Sequence, residues 1–311
     1  MLIRIYRRYV PASIRIAIYY LFLGAFLQKL RIRKSRKRIA KLYTEISDFY
    51  ENEKNQRTYP NEYYLAAQWI KKNGYHVLPY DFIFEYDLRA IKVFKCKKSG
   101  LKYVIHNGRR MYFPKLFNSE TCRSYYHSLL IEQDVRSPHR YYYDCFDGTK
   151  PWTVMDVGAA EGIFTLSVID KTEKAYLFEC NEQWLNALKM TFHPYSEKVE
   201  IINKYVSDTD SDSSIRLDSF IKTNKPLNNV YLKMDIEGAE LRALTSADSL
   251  LKESKIQFLS VCTYHLEKIG QEINDYLEKN HYNCSYTPGV MAFGKKPPYF
   301  RRGVLYAAKN E

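Results

Sequence analysis

A short stretch, VMDVGAAEGIFTL at residues 154–166, places an acid and two glycines between two apolar runs. A dinucleotide fingerprint reads G-x-G-x-x-G, and alignment on Gly158 puts alanine and isoleucine where the other two glycines should stand. The spacing present is D-x-G-x-x-x-G, formed by Asp156, Gly158 and Gly162. A carboxylate beside the turn repels pyrophosphate and attracts a cation. S-adenosylmethionine carries an ammonium and a sulfonium but no phosphate, so the motif predicts that cofactor.

A second acid, Glu179, ends the apolar segment KAYLFEC. In sheets that bind nucleosides, a carboxylate after the second strand accepts hydrogen bonds from the ribose hydroxyls. The same acid would also suit NAD, so Glu179 supports a nucleoside site without identifying the nucleoside.

Further along, the segments DIEGAE and VCTYH carry candidate groups for proton transfer. A sugar hydroxyl is a poor nucleophile at neutral pH and benefits from a general base or a metal ion. We expect His265 to be the base, because imidazole titrates near physiological pH, with Asp235 as the second candidate. The structural alternatives are a packed histidine and an aspartate that caps a helix. If a metal ion takes part, Asp235 and His265 are its expected ligands.

Other polar residues are candidates for binding an acceptor. Glu237 and Glu240 are three apart and are predicted to share a helix face, although acids are also favoured in a first helical turn for structural reasons. The segment Tyr125–Asp144 is dense in Tyr, His and Arg and includes His139. We predict that this segment and Tyr264 form a wall of the acceptor site; the alternative is ordinary packing.

The elements that must position these groups alternate between strand and helix from residue 152 onwards. This alternation predicts an α/β, Rossmann-like fold, with a mostly parallel seven-stranded sheet and helices on both faces. Ligands of such sheets bind beyond the carboxyl ends of the strands, where the predicted acids and histidine fall. The predicted strands are Thr153–Val157, Ala175–Cys180, Val199–Ile202, Val230–Asp235, Ile256–Cys262, His281–Tyr286 and Gly303–Ala307.

The chain before this sheet has a different pattern. Asn61–Asn73 has the apolar spacing of a helix, and turns at Ser99-Gly100 and Asn107-Gly108 separate short strand candidates. The clearest later helix has apolar residues at 266, 269, 273 and 277. We therefore predict three parts: a tail at 1–41, an α+β region with β-hairpins at 42–150 that caps the acceptor side, and a cofactor-binding domain at 151–311.

The net charge of +13 is concentrated in the tail. Residues 1–41 hold 12 of the 48 basic residues and no acid, which leaves 36 basic against 35 acidic residues in the rest. Nucleic-acid enzymes usually spread basic surface over the folded domain, so we expect no nucleic-acid partner. Six cysteines without a CxxC pair are expected to be free thiols in a reducing compartment.

The tail itself pairs an apolar run with flanking arginines and lysines. Ile16–Leu27 is shorter than the roughly 20 residues that a bilayer span needs, and the basic run RIRKSRKR follows it. Such a block favours the cytoplasmic face. We predict a helix lying on the anionic inner surface of the cell membrane, and the alternative is a helix packed on the body. The stretch RRYVPASIRIAIYYLF resembles leader segments of enzymes from bacterial surface-polysaccharide loci.

Several blocks together resemble the FkbM family of S-adenosylmethionine-dependent methyltransferases: DVGAAEGIFTL, LFEC, IRLDSFI, VYLKMDIEGAELRAL and VCTYH, in that order. The resemblance covers about residues 150–308. It implies a Rossmann-like methyltransferase domain and O-methylation of sugars, glycolipids or related metabolites. The cofactor contacts that it implies are Asp156, Gly158, Gly162, Glu179, Asn181 and Asp208.

These observations lead to one main hypothesis and two alternatives. The main hypothesis is an O-methyltransferase that acts on a sugar hydroxyl of a bacterial surface polysaccharide or glycolipid precursor at the cytoplasmic membrane face. The first alternative is an NAD-dependent nucleotide-sugar oxidoreductase or epimerase, which the missing glycines disfavour. The second is a non-catalytic, membrane-attached partner in glycan assembly, which the intact cofactor motif disfavours.

Overall fold

The computed structural model describes residues 41–142, 151–222, 229–293 and 296–310. The chain divides into two compact units, with the boundary between His76 and Val77. The predicted membrane-associating tail lies, apart from Lys41, outside the described residues. Within the described part of the chain, no helix is both long enough and apolar enough to cross a bilayer.

The first unit is helical where it is described. A helix covers residues 41–51, followed by α1 (Glu53–Thr58) and α2 (Asn61–Asn73). The prediction for α2 is confirmed at both ends. Gly74, at φ 93°, ends it and donates its N–H to the carbonyl of Ile70 at 2.8 Å, a backbone conformation that favours glycine.

The second unit opens with two 3₁₀ turns and a small antiparallel sheet. The turns are Asp81–Glu85 and Leu88–Ala90, and the strands are β1 (Phe94–Lys95), β2 (Lys102–His106) and β3 (Arg109–Tyr112). The predicted hairpin between β2 and β3 is confirmed, because Asn107 and Gly108 both have positive φ as a tight turn of this kind requires. Helix α3 (Ser119–Glu132) follows and is capped by the side chain of Asn118.

These elements share a compact unit with the large sheet that comes after them. The sequence predicted boundaries near residues 41 and 150, whereas the structure groups residues 77–142 with the cofactor-binding fold. The physical reason is packing: β3 lies against α5 (Glu182–Phe192), and the N–H of Tyr112 donates to the hydroxyl of Thr191 at 3.0 Å.

The large sheet has seven strands, as predicted. The strands are β4 (Trp152–Val157), β5 (Thr172–Phe178), β6 (Val199–Ile202), β9 (Val230–Met234), β10 (Ile256–Cys262), β11 (Tyr282–Tyr286) and β14 (Val304–Lys309). Their order in the sheet is β11-β14-β10-β9-β4-β5-β6, and β14 runs antiparallel to both of its neighbours while the other pairs are parallel. This is the mostly parallel α/β fold expected from the sequence.

The central strands β4 and β9 are buried along their whole length, which is why they read as nearly continuous apolar runs in the sequence. They pair in register, with Asp156 opposite Lys233 and Val157 opposite Met234. Both strands therefore end at the same level, and the loops after them lie side by side. This juxtaposition positions the site.

Helices cover the sheet, and two small β-ladders complete the unit. The ladders pair β7 (Tyr205–Val206) with β8 (Ser214–Ile215) and β12 (Met291–Ala292) with β13 (Phe300–Arg301). The remaining helices are α4 (Ile163–Val168), α6 (Leu217–Lys222), α7 (Glu240–Thr245), α8 (Asp248–Lys252) and α9 (Ile269–Lys279), with 3₁₀ turns Ile169–Lys171 and His193–Tyr195. The predicted helix at 266–277 exists as α9, but Leu266 is 52% exposed in the preceding loop.

Candidate cofactor and acceptor site

A cavity of about 450 Å³ opens at the carboxyl ends of β4, β5 and β9. This volume lies within the range of roughly 300–1,000 Å³ that small-molecule sites occupy. The predicted site residues that line it are Asp156, Gly158, Glu179, Asn181, Asp235, Glu237, His139 and Tyr264. The predicted residues outside its lining are Gly162, Asp208, Glu240 and His265.

The two glycines of the loop after β4 allow close packing. Both have positive φ, at 78° for Gly158 and 77° for Gly162. A Cβ at Gly158 would lie 1.9 Å from the carbonyl oxygen of Asp235, and one at Gly162 would lie 2.5 Å from the ring of Phe192. Gly158 thus lets the β4 loop pass the end of β9 beside the cavity. Gly162 instead packs against α5, which explains its position outside the lining.

Glu179 anchors the loop across the cavity. Its Oε2 accepts from the N–H of Ala160 at 2.8 Å, and its Oε1 accepts from the N–H of Asn181 at 2.6 Å. Each carboxylate oxygen has a second lone pair, so Glu179 retains capacity for the two ribose hydroxyls. Asn181 lines the cavity and also caps α5, because its side chain accepts from the N–H of Gln183.

Asp156 is 1% exposed and is paired inside the protein. Lys233 Nζ lies 3.0 Å from its Oδ1, and the hydroxyl of Thr165 donates to its Oδ2 at 2.8 Å. Burial lowers the pKa of Lys233, but the charges of Asp156 and Asp235 outweigh burial and raise that pKa above its ordinary value. The sequence argument that Asp156 attracts a cationic ligand therefore needs correction, because a buried lysine already balances its charge.

Two acids that the sequence analysis did not single out also line the cavity. Glu161 is buried in the glycine loop and accepts from the hydroxyl of Tyr125 at 2.9 Å. Burial raises the pKa of Glu161 to about 7. Glu132, at the end of α3, has its pKa raised to about 8 by burial and then by the charges of Glu161 and Asp235. Glu161 lay within the opening motif, but its burial beside Tyr125 depends on the tertiary fold.

The tyrosine-rich segment before the loop forms one wall of the cavity, through Tyr125, Glu132, His139 and Tyr141. Six carboxylates line the cavity, and Lys233 is the one lysine or arginine among the described lining residues. Burial lowers the pKa of His139 to about 4, so this imidazole adds no positive charge at neutral pH. An acid-rich cavity fits a cationic ligand such as S-adenosylmethionine and disfavours a pyrophosphate.

Asp235 follows β9 and faces the cavity with two tyrosines around it. The hydroxyl of Tyr141 donates to its Oδ2, and the hydroxyl of Tyr264 lies 3.5 Å from its Oδ1 and 2.8 Å from His139 Nε2. Burial raises the pKa of Asp235, but the surrounding groups, Lys233 first, and the hydrogen bond from Tyr141 together outweigh burial and hold the pKa below its ordinary value. Asp235 is therefore an ionised hydrogen-bond acceptor near neutral pH.

His265 lies behind Asp235, outside the cavity lining. Its side chain is 5% exposed, with Nδ1 2.8 Å from Glu240 Oε1 and Nε2 3.4 Å from Asp235 Oδ1. Burial lowers the pKa of His265, but the neighbouring carboxylates, Glu240 first, outweigh burial and raise it. The structure thus brings the two predicted bases together and places Asp235, but not His265, in the lining of the cavity.

Glu237 and Glu240 do not share a helix face, so that prediction is wrong. The backbone turns through positive φ at Glu237 (58°) and Gly238 (100°), and α7 begins only at Glu240. Glu240 is fully buried, and its Oε1 accepts from the N–H groups of Ile236 and Gly238 as well as facing His265. Its predicted contact with an acceptor is therefore excluded by burial, whereas the side chain of Glu237 is 91% exposed.

Asp208 lies in the turn between β7 and β8, where Arg242 pairs with it at 2.7 Å. It is outside the cavity lining, so the cofactor contact implied by the family resemblance has no support in its position.

The two residues named as metal ligands from the sequence do lie in a possible donor cluster. Donor atoms of Asp235, Glu240 and His265 are within 4.8 Å of one another, and so are those of His139, Asp235 and Cys262. Mixed nitrogen and oxygen donors of this kind suit a divalent transition metal.

A family comparison covers the part of the chain that forms most of the cavity. Residues 157–284 match the family model of the methyltransferase FkbM domain, a span that contains the glycine loop, Glu179, Asp235 and His265. No curated protein matches the sequence.

Solved methyltransferase structures show a similar but distant architecture. The TrmK of M. capricolum, in complex with S-adenosyl-homocysteine, is 17% identical, with 52% of this chain and 64% of that chain covered and a TM-score of 0.37. An rRNA methylase from Streptococcus thermophilus is 14% identical over 52% of this chain and 88% of that chain, with a TM-score of 0.37. The METTL16 MTase domain is 9% identical, with 77% of this chain and 94% of that chain covered and a TM-score of 0.43.

At these scores the structural likenesses carry no argument about activity or acceptor. The family match, together with the α/β topology and the position of the cavity, does identify the catalytic part of the chain. This protein carries a methyltransferase FkbM domain, and the cofactor of that domain is S-adenosylmethionine.

Proposed function

We propose that this protein is an O-methyltransferase that methylates a sugar hydroxyl in a bacterial surface polysaccharide or glycolipid precursor at the cytoplasmic face of the membrane. The observation that carries the proposal is the ionised carboxylate of Asp235, held between Tyr141 and Tyr264 in the cofactor cavity. A hydroxyl acceptor needs a group that receives its proton, and Asp235 supplies one.

The donor half of the reaction requires little chemistry from the protein. When bound, S-adenosylmethionine supplies an electrophilic methyl group on a positively charged sulfur. The protein must hold the donor in line with the acceptor oxygen and exclude water. Glu179 provides acceptors for the ribose hydroxyls, and the surrounding carboxylates favour a positively charged ligand over a neutral or anionic one.

On the acceptor side we propose that Asp235 receives the proton of the attacking hydroxyl. Its depressed pKa keeps it ionised, and Tyr264, linked to His139 at 2.8 Å, is positioned to hydrogen-bond the acceptor. His265 then acts through Asp235, since its Nε2 lies 3.4 Å from Asp235 Oδ1 and its Nδ1 is held by Glu240. The role of base thereby moves from His265, which the sequence favoured, to Asp235.

The charge of the cavity also bears on the class of acceptor. Even with Asp156 balanced by Lys233 and Glu132 protonated at neutral pH, acidic groups outnumber the one lysine in the described lining, so a nucleic-acid strand and the pyrophosphate of NAD are both disfavoured there. A neutral, hydroxyl-rich sugar meets no such repulsion. The nearly neutral body of the chain agrees with this choice, and the basic tail is proposed to bind anionic lipid.

Methyl transfer is tested by measuring S-adenosylhomocysteine production with lipid-linked sugars, free oligosaccharides, nucleotide-sugars and tRNA as acceptors. We expect turnover with a sugar acceptor, and Asp235→Asn should lower kcat by about 10²- to 10⁴-fold while cofactor affinity changes little. Glu253→Gln, at an exposed carboxylate, is the matched control. Methylation of tRNA alone would overturn the proposed acceptor, and cofactor binding without turnover on any acceptor would favour a non-catalytic role.

The membrane part is tested separately with vesicles. The full chain should sediment with vesicles containing phosphatidylglycerol but not with pure phosphatidylcholine, and a chain lacking residues 1–41 should sediment with neither. Retained binding after the deletion would show that the tail is not the anchor. Mass spectrometry of surface glycans from cells with and without the protein would then identify the methylated sugar.

A further inference from the structure

The methionine end of the cofactor carries an ammonium group that needs an anionic partner, and the sequence motif assigned that partner to Asp156. In the structure both oxygens of Asp156 are already engaged, one with Lys233 at 3.0 Å and one with the hydroxyl of Thr165 at 2.8 Å. The side chain is also almost completely buried. Asp156 therefore lacks the free charge that an ammonium-binding carboxylate requires.

Glu161 is the better candidate. It is five residues further along the same loop, lines the cavity and is 5% exposed. The hydroxyl of Tyr125 donates to its Oε2 at 2.9 Å, and among the described residues no lysine or arginine forms an ion pair with it. A buried carboxylate without a cationic partner is costly, and a positively charged ligand removes that cost.

Tyr125 holds this carboxylate in a defined position. Its ring packs against Trp184, with ring centres 5.4 Å apart, and against Phe117 at 5.8 Å. The hydroxyl that Glu161 accepts from is thus held on α3 by aromatic packing from α5 and from the residue that precedes the cap of α3. A side chain oriented in this way is preorganised for a ligand, which lowers the entropy cost of binding.

We infer that Glu161, held by Tyr125, forms the ammonium-binding subsite of the cavity, and that Asp156 serves to balance Lys233. The inference rests on S-adenosylmethionine as the cofactor and deepens the proposed function. The charged and titratable groups that face Glu161 are Tyr125, Lys233, Asp156 and Glu132. Because burial raises the pKa of Glu161 to about 7, part of the cofactor-free protein is protonated there, and binding of an ammonium must release that proton.

The test compares two ligands that differ only in the amino group: S-adenosylhomocysteine and its deamino analogue. Calorimetry on the full chain should show that Glu161→Gln weakens binding of S-adenosylhomocysteine by about 10- to 100-fold and leaves binding of the deamino analogue nearly unchanged. Glu132→Gln, a matched loss of a carboxylate in the same cavity, should keep most of the preference for the amino-containing ligand. Equal weakening of both ligands by Glu161→Gln, or weakening of neither, would overturn the inference.

A second measurement uses the wild-type chain, so it does not depend on whether a Glu161 variant folds. Calorimetry of the wild-type chain near pH 7, in buffers with different ionisation enthalpies, should show proton release with S-adenosylhomocysteine and much less with the deamino analogue. Tyr125→Phe should reduce the affinity difference between the two ligands by about 3- to 10-fold. Equal proton release with both ligands would contradict the assignment, as would an ammonium-dependent release that persists in folded Glu161→Gln.

Failure of this inference is distinguishable from failure of the proposed function. If the wild-type chain binds S-adenosylhomocysteine but Glu161→Gln weakens the binding of both ligands equally, only the subsite assignment is wrong. If the wild-type chain binds neither ligand, the cofactor assignment, the proposed function and the subsite assignment are all wrong.

Discussion

Replacement of Lys233 by methionine should be among the most destabilising changes to this domain. Lys233 is 3% exposed in the middle of the sheet, where Nζ lies 3.0 Å from Asp156 Oδ1 and donates to the carbonyl of Gly158 at 2.6 Å. Its ammonium also lies 4.8 Å from the ring centre of Tyr141. Lys233→Met keeps most of the side-chain length but leaves Asp156 as a buried carboxylate with no cation beside it.

The magnitude follows from removing one partner of a buried ion pair, which costs about 3–5 kcal/mol because the remaining charge is desolvated and unpaired. Loss of the hydrogen bond to Gly158 adds to this cost. Domains are stable by about 5–15 kcal/mol, so the change removes a large fraction of the total. The raised pKa of Lys233 means that this stabilisation is fully present below the unfolded pKa and is lost only as pH rises through the folded value, so neutral pH shows the full effect.

The assay is urea unfolding followed by circular dichroism, for wild type, Lys233→Met, Asp156→Asn and the double variant. We expect each single variant to lower the free energy of unfolding, and the double variant to be less destabilised than the sum, with a coupling energy above about 1 kcal/mol. Tyr231→Phe removes the buried hydrogen bonds of another β9 residue without touching the ion pair, so it should destabilise the protein but show no coupling to Asp156→Asn. A Lys233→Met protein within about 1 kcal/mol of wild type, or a cycle without coupling, would refute the reasoning.

Three further predictions concern the cavity. Gly158→Ala places a Cβ 1.9 Å from the carbonyl oxygen of Asp235, so we expect thermal unfolding at a clearly lower temperature and loss of cofactor binding; a folded variant with normal affinity would contradict the packing argument. Glu179→Gln keeps an acceptor for one backbone N–H but loses the charge, and should weaken S-adenosylhomocysteine binding by about 10-fold in calorimetry, where an unchanged affinity would exclude the ribose contact. In the cofactor-free protein the pKa of Glu161 is raised from 4.5 to about 7, so the unfolded chain loses this proton first and stability falls as pH rises between these values. Wild type should therefore lose more thermal stability than Glu161→Gln over that pH interval, and equal slopes would show that Glu161 is not protonated in the folded state.

Strand-end reasoning located much of the site because it depends on topology alone. Parallel strands end at one edge of the sheet, so acids directly after the apolar runs, such as Glu179 and Asp235, had to fall near each other once the runs were recognised as neighbouring strands. The reasoning failed where the conformation of a loop decides which way the side chains point. A helical reading of DIEGAE put Glu237 and Glu240 on one face, whereas two positive-φ residues turn the chain and bury Glu240.

Contacts between side chains that are distant along the chain also could not be predicted from the sequence. Lys233 lies in an apolar run, and nothing local to it shows that its ammonium meets Asp156 on the next strand. In the same way, Glu161 stood within the opening motif as an ordinary loop acid. Its raised pKa arises from burial, and the hydrogen bond from Tyr125, 36 residues earlier in the chain, opposes part of that shift.

The amino-acid sequence by itself determined the α/β class, the seven strands and the β2–β3 hairpin, because these depend on periodicity and turn chemistry, and its resemblance to the FkbM family predicted the cofactor. Tertiary structure alone decided which carboxylates are free to meet a ligand. A motif records which charges are present along the chain, whereas the net charge felt in a cavity depends on which of them are neutralised by residues brought in from other strands and helices. For that reason Asp156, the informative acid of the sequence, became half of an internal ion pair, whereas Asp235 and Glu161 line the cavity and, among the described residues, form no ion pair with a lysine or arginine.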